Sequence, residues 1–353
     1  MPVIVEGTRE AYIRAAMLCG FAELVAGSGA APEDMLRRVN ISSRALTERD
    51  MLISWHAVGE LMELAAVELE NPSLGLAWAL AVPSPFLNFG PLGLLAKFSK
   101  TIGEWCAISR NYWRFHTNAY SVSLLESDSG PEMILRFAVD ELVPPSRHQM
   151  EHTIGGLCRF MRVLAPIDDS RFICIRFQHL KPKDIALHER TFRCPVEFEC
   201  EHNELVYHRE VDSYPIEFHF EDLPDLIAHY VAARSGLSPG ADISTRSTVE
   251  AVIPCLIATG FCTLVHVAEL LDIGPKTLQR QLAREGTNFA ELVDGGRRRI
   301  AMQLLEESEA PMASIAGLLG YARTAPFTFA FKRWTGLSPR EYRKRMWQNV
   351  AGG

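Results

Sequence analysis

The segment PKTLQRQLARE (275–285) carries side chains whose types and spacing suit hydrogen bonding to DNA bases. Leu278 and Leu282 are one helical turn apart, which predicts a helix over 275–285 with one apolar face. At 100° per residue, five polar side chains lie on or beside the opposite face: Lys276, Thr277, Gln279, Arg280 and Arg284. In a major groove, Lys or Arg can bind guanine O6 and N7, and Gln can bind adenine N6 and N7. Arg284 is better placed for a phosphate, which adds affinity without reading sequence.

A second segment, 310–342, repeats this design with different side chains. Phe327, Phe331 and Trp334 are spaced i, i+4 and i+7, which predicts one apolar stripe on a helix. The opposite face carries Ala325, Thr328, Phe329 and Lys332. Phe329 can contact thymine methyl groups, pack under another element or simply be exposed. We therefore expect the first helix to supply most of the base discrimination, and the second mainly affinity for the DNA backbone.

The residues between these segments predict a connecting helix. A helix over 288–307 would span roughly 30 Å at 1.5 Å per residue, close to the ~34 Å between successive major grooves on one face of a duplex. Gly295 and Gly296 lie inside it, and each costs up to about 1 kcal/mol in a helix interior. We therefore expect the two units to be less rigidly coupled than an unbroken helix would make them. The predicted phosphate contacts are Arg284, Arg297, Arg298, Arg299, Arg323, Thr328, Lys332 and Arg333.

The stretch TLVHVAELLDIGPKTLQRQLAREG (263–286), followed about fifty residues later by YARTAPFTFAFKRWTGLSP, resembles the paired helix-turn-helix domain of the AraC/XylS transcription regulators. The resemblance covers about 248–342, and it implies an all-α domain with helix-turn-helix units at about 264–285 and 313–335. The family usually has Ser at Gly274, polar residues at Ala325 and Pro326, and Arg at Phe329. The second recognition helix therefore lacks the family's hydrogen-bonding base reader.

Charge is distributed unevenly along the 353 residues. From 244 onward there are 14 Lys and Arg against 10 Asp and Glu, whereas the preceding part has 22 against 33. A basic C-terminal part attached to an acidic N-terminal part is typical of a nucleic-acid reader joined to a domain that does not touch nucleic acid. The alternative is ordinary variation in surface charge.

The composition is that of a globular protein, with 48% hydrophobic and 22% charged residues. No apolar run approaches the ~18 residues of a membrane span, and the first residues lack the pattern of a secretory signal. The eight cysteines are scattered without a CxxC pair, which favours reduced thiols in a cytoplasmic protein.

The N-terminal part, about 1–235, is predicted to be an α+β domain with helices packed on a small antiparallel sheet. Its hydrophobic patterns predict that 8–80 is helical and that further helices cover 102–115, 147–164 and 223–234. They also predict a hairpin over 119–139, a strand over 171–179 and a second hairpin around His202 and Asn203. Gly236, Pro239 and Gly240 predict a linker at 236–243, followed by the DNA-binding domain at 244–353.

The order of these elements, with GLLAKFSKTIGEWCAISRNYWRFHTN and FRCPVEFECEHNELVY, resembles the arabinose-binding-type N-terminal domain of one branch of the AraC/XylS regulators. This resemblance covers about 10–215. It implies a domain for effector sensing and dimerisation, and it does not imply that the effector is arabinose.

Two patterns that resemble enzyme motifs do not predict catalysis. HQMEH (148–152) has the H-x-x-E-H spacing of some zinc enzymes, but it lacks a third ligand and is predicted to begin a capped surface helix. GLSPG (236–240) matches G-x-S-x-G, but Pro239 has no N–H to donate to an oxyanion. We therefore expect neither an enzyme nor a bound cofactor or metal ion.

The sequence thus predicts a cytoplasmic regulator that binds double-stranded promoter DNA, acts with RNA polymerase and responds to a small molecule. Aromatic and cationic side chains suit an apolar effector with a carboxylate: Arg110, Trp113, Arg114, Arg159 and Arg162. The alternative for these residues is core aromatics with solvated arginines. Control by protein–protein contact and an enzyme with an appended DNA reader are the other functional hypotheses. The apolar face of 223–234 could pair with a second copy or pack inside its own domain.

Overall fold

The computed structural model describes residues 11–26, 29–48, 51–82, 93, 95–109, 113–127, 130–139, 146–217, 244–257, 261–307 and 310–351. The chain divides into two compact units, Met1–His219 and Phe220–Gly353. The predicted linker at 236–243 and the predicted dimerisation helix at 223–234 lie outside the described residues.

The described part of the first unit is α+β, as predicted. Its helices are α1 Phe21–Ala26, α2 Pro32–Arg38, α3 Trp55–Glu68, α4 Leu74–Ala81, α5 Ile102–Ser109, α6 Trp113–His116, α7 Arg147–Leu164 and α8 Ala186–Phe192. Its strands are β1 Tyr12–Arg14, β2 Leu52–Ser54, β3 Tyr120–Glu126, β4 Glu132–Val139, β5 Phe172–Arg176, β6 Val196–Glu197 and β7 Asn203–His208.

The larger sheet has the strand order β3-β4-β7-β5-β6. The first predicted hairpin is confirmed, because β3 and β4 pair antiparallel from Tyr120 and Val139 to Glu126 and Met133. The second predicted hairpin is wrong, because β7 pairs with β4 and β5, while β6 pairs in parallel with β5. Helix α8 lies between β5 and β6 in the chain and makes the crossover that a parallel pair requires.

Residues 8–80 are not wholly helical. Strands β1 and β2 form a separate antiparallel pair, with Ile13 opposite Ile53. Each strand has only three residues, too few to show an alternating pattern that could be distinguished from a helical one. Helix α3 begins directly after β2, where the Ser54 hydroxyl accepts a hydrogen bond from the Ala57 N–H and caps the helix.

Helix α7 forms the centre of the first unit and has the predicted bounds. The Ser146 hydroxyl accepts a hydrogen bond from the Gln149 N–H and caps it. It packs so closely against α4 that a Cβ on Gly75 would lie 2.1 Å from the His148 carbonyl oxygen. The prediction of a surface helix start is wrong, because Glu151 and His152 are buried. Polar residues here are enclosed by α4 and α8, which the sequence of α7 alone does not reveal.

The described part of the second unit is all helical, as predicted. Its helices are α9 Thr245–Leu256, α10 Leu264–Leu270, α11 Pro275–Arg284, α12 Phe289–Glu307, α13 Met312–Leu318, α14 Thr324–Thr335 and α15 Pro339–Ala351. Helices α10–α11 and α13–α14 are the two predicted helix-turn-helix units, and α12 is the predicted connecting helix. Helix α9, for which no bounds were predicted, packs against α11 and α12.

Helix α12 is continuous through both glycines, with 19 residues and a length of about 28 Å. Gly296 is buried, and a Cβ there would lie 2.6 Å from Ile253 Cγ2 of α9. Gly295 faces open space. The two glycines therefore differ in role: Gly296 permits close packing of two helices, and only Gly295 has no packing requirement. The sequence-based expectation that both glycines weaken the connecting helix did not consider the packing of Gly296 against α9.

Candidate DNA-binding surface

The first helix-turn-helix unit is built by two helices and a tight turn. The Thr263 hydroxyl accepts a hydrogen bond from the His266 N–H at 3.3 Å and caps α10. Asp272 adopts a left-handed backbone conformation, with φ of +53°, and turns the chain towards α11. Pro275 follows Gly274 at the first position of α11, where its missing N–H costs nothing. Leu278 and Leu282 are fully buried, as the spacing predicted.

The opposite face of α11 is exposed, and its polar side chains have no hydrogen-bond or ion-pair partner among the described residues. Lys276, Gln279, Arg280 and Arg284 are exposed, and Thr277 is half-buried. Within the described residues, none of these side chains is recorded in a hydrogen bond or an ion pair. Three cations and an amide on one helix face thus remain available to a ligand. Their chemistry matches phosphate oxygens and the acceptor-rich edges of bases.

The second helix-turn-helix unit repeats the first. Pro275 and Thr324 begin the two recognition helices, so positions 49 apart correspond. Phe327 and Phe331 are fully buried where Leu278 and Leu282 lie in the first unit. Phe331 also meets Tyr342 of α15 edge to face, with ring centroids 5.3 Å apart.

Gly320 makes the turn of the second unit. Its φ is +74°, and a Cβ would lie 2.5 Å from the Ile257 carbonyl oxygen at the end of α9. Only glycine satisfies both the left-handed backbone and this approach. Helix α9 therefore supports the turn of the second unit as well as the connecting helix.

The exposed face of α14 is apolar at its centre. Phe329 is 79% exposed, and Ala325 and Pro326 beside it are also exposed. The hypothesis that Phe329 packs under another element is wrong for the described part of the chain. Arg323, directly before α14, and Lys332, about one turn after Phe329, are exposed, whereas the Thr328 hydroxyl donates to the Thr324 carbonyl oxygen at 3.0 Å.

The predicted phosphate contacts divide into free and engaged side chains. Arg297 donates to the Leu319 carbonyl oxygen at 3.0 Å and lies over the Tyr321 ring, 4.9 Å from its centroid. Arg333 forms an ion pair with Asp294 of α12. These two arginines connect α12 to the second unit. Arg298 and Arg299 are exposed and remain available for phosphates.

Glu285, at the end of α11, holds the beginning of α9. Its carboxylate accepts hydrogen bonds from the N–H groups of Thr245 and Arg246 at 3.1 and 2.7 Å. A carboxylate is favourable at a helix N-terminus because unpaired N–H groups and the positive end of the helix dipole meet there. Sequence reasoning missed this contact because the partners are about forty positions apart.

The candidate effector residues whose side chains the structure describes do not converge on one site. Arg159 donates to the carbonyl oxygens of Ala79 and Val82, at 3.2 and 2.5 Å. Arg162 donates to the carbonyl oxygens of Thr191 and Phe192, at 3.0 and 2.6 Å. Both arginines thus close the ends of neighbouring helices. Arg110 and the Arg114 side chain lie outside the described residues.

Among the candidate effector residues, Trp113 lines internal cavities. It is buried between two cavities of about 10 Å³ each, and each has room for about one water molecule. The first cavity is mainly apolar, lined by Trp105, Cys106, Ser109, Trp113, Val122, Leu124, Leu135 and Leu157. The second is more polar, lined by Ile13, Met17, Trp113, His116, Tyr120, His152 and Thr153. Ser109 Oγ and His116 Nδ1 are buried without a hydrogen-bond partner among the described residues.

The imidazoles of the second cavity are held neutral. Burial lowers the pKa of His116 to about 3, with a further contribution from the positive charge of Arg14. Burial also lowers the pKa of His152 to about 4. A neutral imidazole can both donate and accept a hydrogen bond, so this cavity can receive a polar group.

The HQMEH pattern forms a buried ionic cluster. Glu151 accepts hydrogen bonds from Arg147 and His188, each at 2.8 Å. Burial alone would raise the pKa of Glu151, but hydrogen bonds from imidazoles and Arg147 hold it well below its usual value. Within the described residues, no group of three or more His, Cys, Asp or Glu is placed to bind a metal ion.

Two helix-turn-helix units joined by one helix, the first with a polar and cationic recognition face, define a DNA-binding transcription regulator. The chain belongs to the AraC family of these regulators. Residues 29–216 match the model of the arabinose-binding domain of AraC transcription regulators, and residues 267–345 match a helix-turn-helix domain. The matched domains and the relatives indicate a transcription regulator.

Curated relatives align over nearly the whole chain. The HTH-type transcriptional regulator VirS of Mycobacterium tuberculosis is 27% identical, over 94% of this chain and 96% of its own. The ornithine utilization regulator of Pseudomonas aeruginosa is 23% identical, over 91% and 93%. The crystal structure of the transcriptional regulator CdpR from Pseudomonas aeruginosa aligns with 88% of this chain and 96% of its own, at 20% identity and a TM-score of 0.37. None of the described helices has both the length and the apolar character of a membrane span.

Proposed function

We propose that this regulator recognises its operator mainly through α11 and that a small molecule bound to the first unit controls it. The observation that supports base reading is the exposed face of α11, where Lys276, Gln279 and Arg280 have no partners among the described residues. Thr277 contributes at the edge of this face, and Arg284 contacts a phosphate. Contacts by α14 would position the second unit on the next major groove.

The cavities on either side of Trp113 support a location for the effector. Because each cavity has room for about one water molecule, an effector could enter only if the Trp113 ring moved and joined the apolar cavity to the polar one, which contains His116 and lies near buried Arg14. An apolar molecule with a carboxylate matches this combination, because the chain would occupy the apolar cavity and the carboxylate would meet the cation and the imidazole N–H. This site replaces the arginine set proposed from the sequence, of which it keeps only Trp113.

Effector control requires that the molecule bind one conformation of the regulator better than another. The junction between Glu285 and the start of α9 is where such a change would reach the first recognition helix. A homodimer formed through 223–234 and contact with RNA polymerase belong to the same proposal. Control by protein–protein contact, without a small ligand, is the alternative, and the small volume of both cavities favours it.

DNA binding is tested with the full chain and fragments of its own genome, by measuring affinity over a range of salt concentrations. We expect selective binding that weakens steeply as salt rises, because cations on the protein displace counterions from phosphates. Binding to no fragment, or binding that is insensitive to salt, would refute the proposal.

Effector binding is tested by thermal unfolding of the full chain with a panel of small apolar acids and their amides. A ligand at 100 times its Kd should stabilise the protein by about 2.7 kcal/mol. Trp113→Ala should abolish this stabilisation, whereas Arg159→Lys, outside the cavities, should leave it intact. Stabilisation that survives Trp113→Ala would place the effector elsewhere, and no stabilisation by any compound would favour control by protein contact.

A further inference from the structure

The two recognition helices present opposite chemistry at corresponding positions. Arg280 and Phe329 are each the sixth residue of their helix, and both are exposed on the face opposite the buried pair. Lys276 corresponds to Ala325, and Thr277 to Pro326. A face that can donate several hydrogen bonds in the first unit is therefore replaced in the second by a face with an aromatic ring at its centre.

The surroundings of Phe329 favour DNA over an apolar protein partner. Its ring is 79% exposed, while Arg323, directly before the helix, and Lys332, about one turn after Phe329, are exposed as well. A hydrophobic patch that docks a protein usually has a core depleted in charge. Here the apolar part of the face consists of the Phe329 ring and the small side chains of Ala325 and Pro326. An isolated ring between cations suits a groove with phosphates on both sides.

A phenyl ring has no hydrogen-bond donor or acceptor of its own, so it cannot recognise the polar edge of a base in the way that Arg280 can. In the major groove it can distinguish bases by one feature, the C5-methyl group of thymine, which unmodified cytosine and both purines lack. The ring is rigid and already exposed, so little conformational freedom is lost when it packs against that methyl group.

We propose that Phe329 is a specificity-determining residue that reads a thymine in the second half-site through its C5-methyl group. This inference rests on the proposed DNA-binding function and changes the expected division of labour. The second helix does discriminate between bases, but by apolar contact, whereas the first discriminates by hydrogen bonds. The two half-sites should therefore differ in chemical character as well as in sequence.

The test uses the full chain and an operator selected by that chain from a randomised-site library. The selected site should have a preferred thymine under α14. Replacing this thymine by uracil, which removes only the methyl group, should weaken binding about four-fold, the effect expected for one buried methyl-sized group. The same replacement outside both recognition sites is the control and should have no effect. Cytosine at this position should bind weakly, and 5-methylcytosine should recover part of the loss.

Protein variants identify the residue responsible. Phe329→Ala should bind the thymine and uracil operators equally, Phe329→Leu should keep part of the difference, and Phe329→Arg should shift the preference towards guanine. Because Phe329 is exposed, all three variants should fold, which thermal unfolding verifies. Equal affinity of the parent protein for thymine and uracil operators would overturn the inference, as would a difference that persists in Phe329→Ala. Either result leaves salt-sensitive specific binding intact, whereas a chain that binds no DNA would refute the inference and the proposed function together.

Discussion

At the scale of single residues, exposure and pairing separate side chains that look equivalent in the sequence. Arg280 and Arg297 are both arginines on helices of the DNA-binding unit. Arg280 is exposed without a recorded partner among the described residues, whereas Arg297 donates to the Leu319 carbonyl oxygen and lies over Tyr321. The first is available to a base, and the second holds α12 against the second unit. Substituting them should therefore have different consequences.

Substitution of Arg280 by Ala should weaken operator binding by about 1–3 kcal/mol and relax base preference at one position, as expected for a bidentate contact with guanine. The stability of the protein should be unchanged, because the side chain is exposed. Affinity measurements on the operator and its three single-base variants at that position test this. Unchanged base preference in Arg280→Ala would contradict it.

Lys332→Ala should weaken binding to all sequences about equally and reduce the slope of log affinity against log salt by roughly one, as expected for a phosphate contact. Its matched control is Arg333→Ala. Arg333 already pairs with Asp294, so its removal should change the salt slope less. A larger change of slope for Arg333→Ala than for Lys332→Ala would show that the assignment of free and engaged cations is wrong.

Patterns within one element predicted the residues that face outward, but not those that reach another element. The leucine spacing of α11 was enough to place Lys276, Gln279 and Arg280 on the exposed face. The partners of Arg297 and Glu285 are about twenty and forty positions away, and no local pattern reports such contacts. For the same reason, Arg159 and Arg162 looked like ligand-binding residues until their carbonyl partners were known.

At the scale of elements, the paired glycines of α12 give a direct test of helix packing. Gly295→Ala should stabilise the protein by up to about 1 kcal/mol, because the site is open and alanine favours the helix. Gly296→Ala should destabilise it, because the new Cβ would lie 2.6 Å from Ile253 Cγ2 and separate α9 from α12. Chemical denaturation of both variants provides the measurement. Equal effects of the two substitutions would show that helix propensity alone governs this position.

Long elements with strong periodicity were predicted well, and short or interrupted ones were not. Helix α7 has the predicted bounds, and the hairpin of β3 and β4 was placed correctly. The pairing of β7 was wrong because adjacency in sequence favours a hairpin with β6, whereas β5 occupies the position between them. Strands of two or three residues, such as β6 and β2, carry too little alternation to be recognised.

At the scale of the whole molecule, the buried imidazoles of the first unit predict acid sensitivity. The pKa of His116 is lowered to about 3 and that of His152 to about 4, whereas both would titrate near 6.5 in the unfolded chain. Between these values the unfolded chain binds more protons, so stability should fall as the pH is lowered below about 6.5. Thermal unfolding from pH 7.5 to 5 measures this slope, and His116→Asn should reduce it by up to one proton. A slope unchanged in His116→Asn would show that the imidazole is protonated in the folded protein.

The proposed dimer is also a property of the whole chain. Leu226, Ile227, Tyr230 and Val231 fall on one side of the predicted helix at 223–234. If they pair with a second copy, the full chain should sediment as a dimer at micromolar concentration, and Ile227→Asp should give a folded monomer with weaker operator binding. A parent protein that sediments as a monomer and still binds its operator normally would contradict this, as would a loss of folding in Ile227→Asp.

The contact between Glu285 and the first turn of α9 has a mechanical consequence. The first turn of α9, the first described helix of the second unit, is hydrogen-bonded to the end of the helix that carries Arg280. A displacement of the first turn of α9 would therefore act directly on the end of α11, without first passing through α12. Glu285→Gln would weaken this contact, because it removes the charge while keeping the shape of the side chain. Operator binding should then persist, whereas its response to the first unit should decrease.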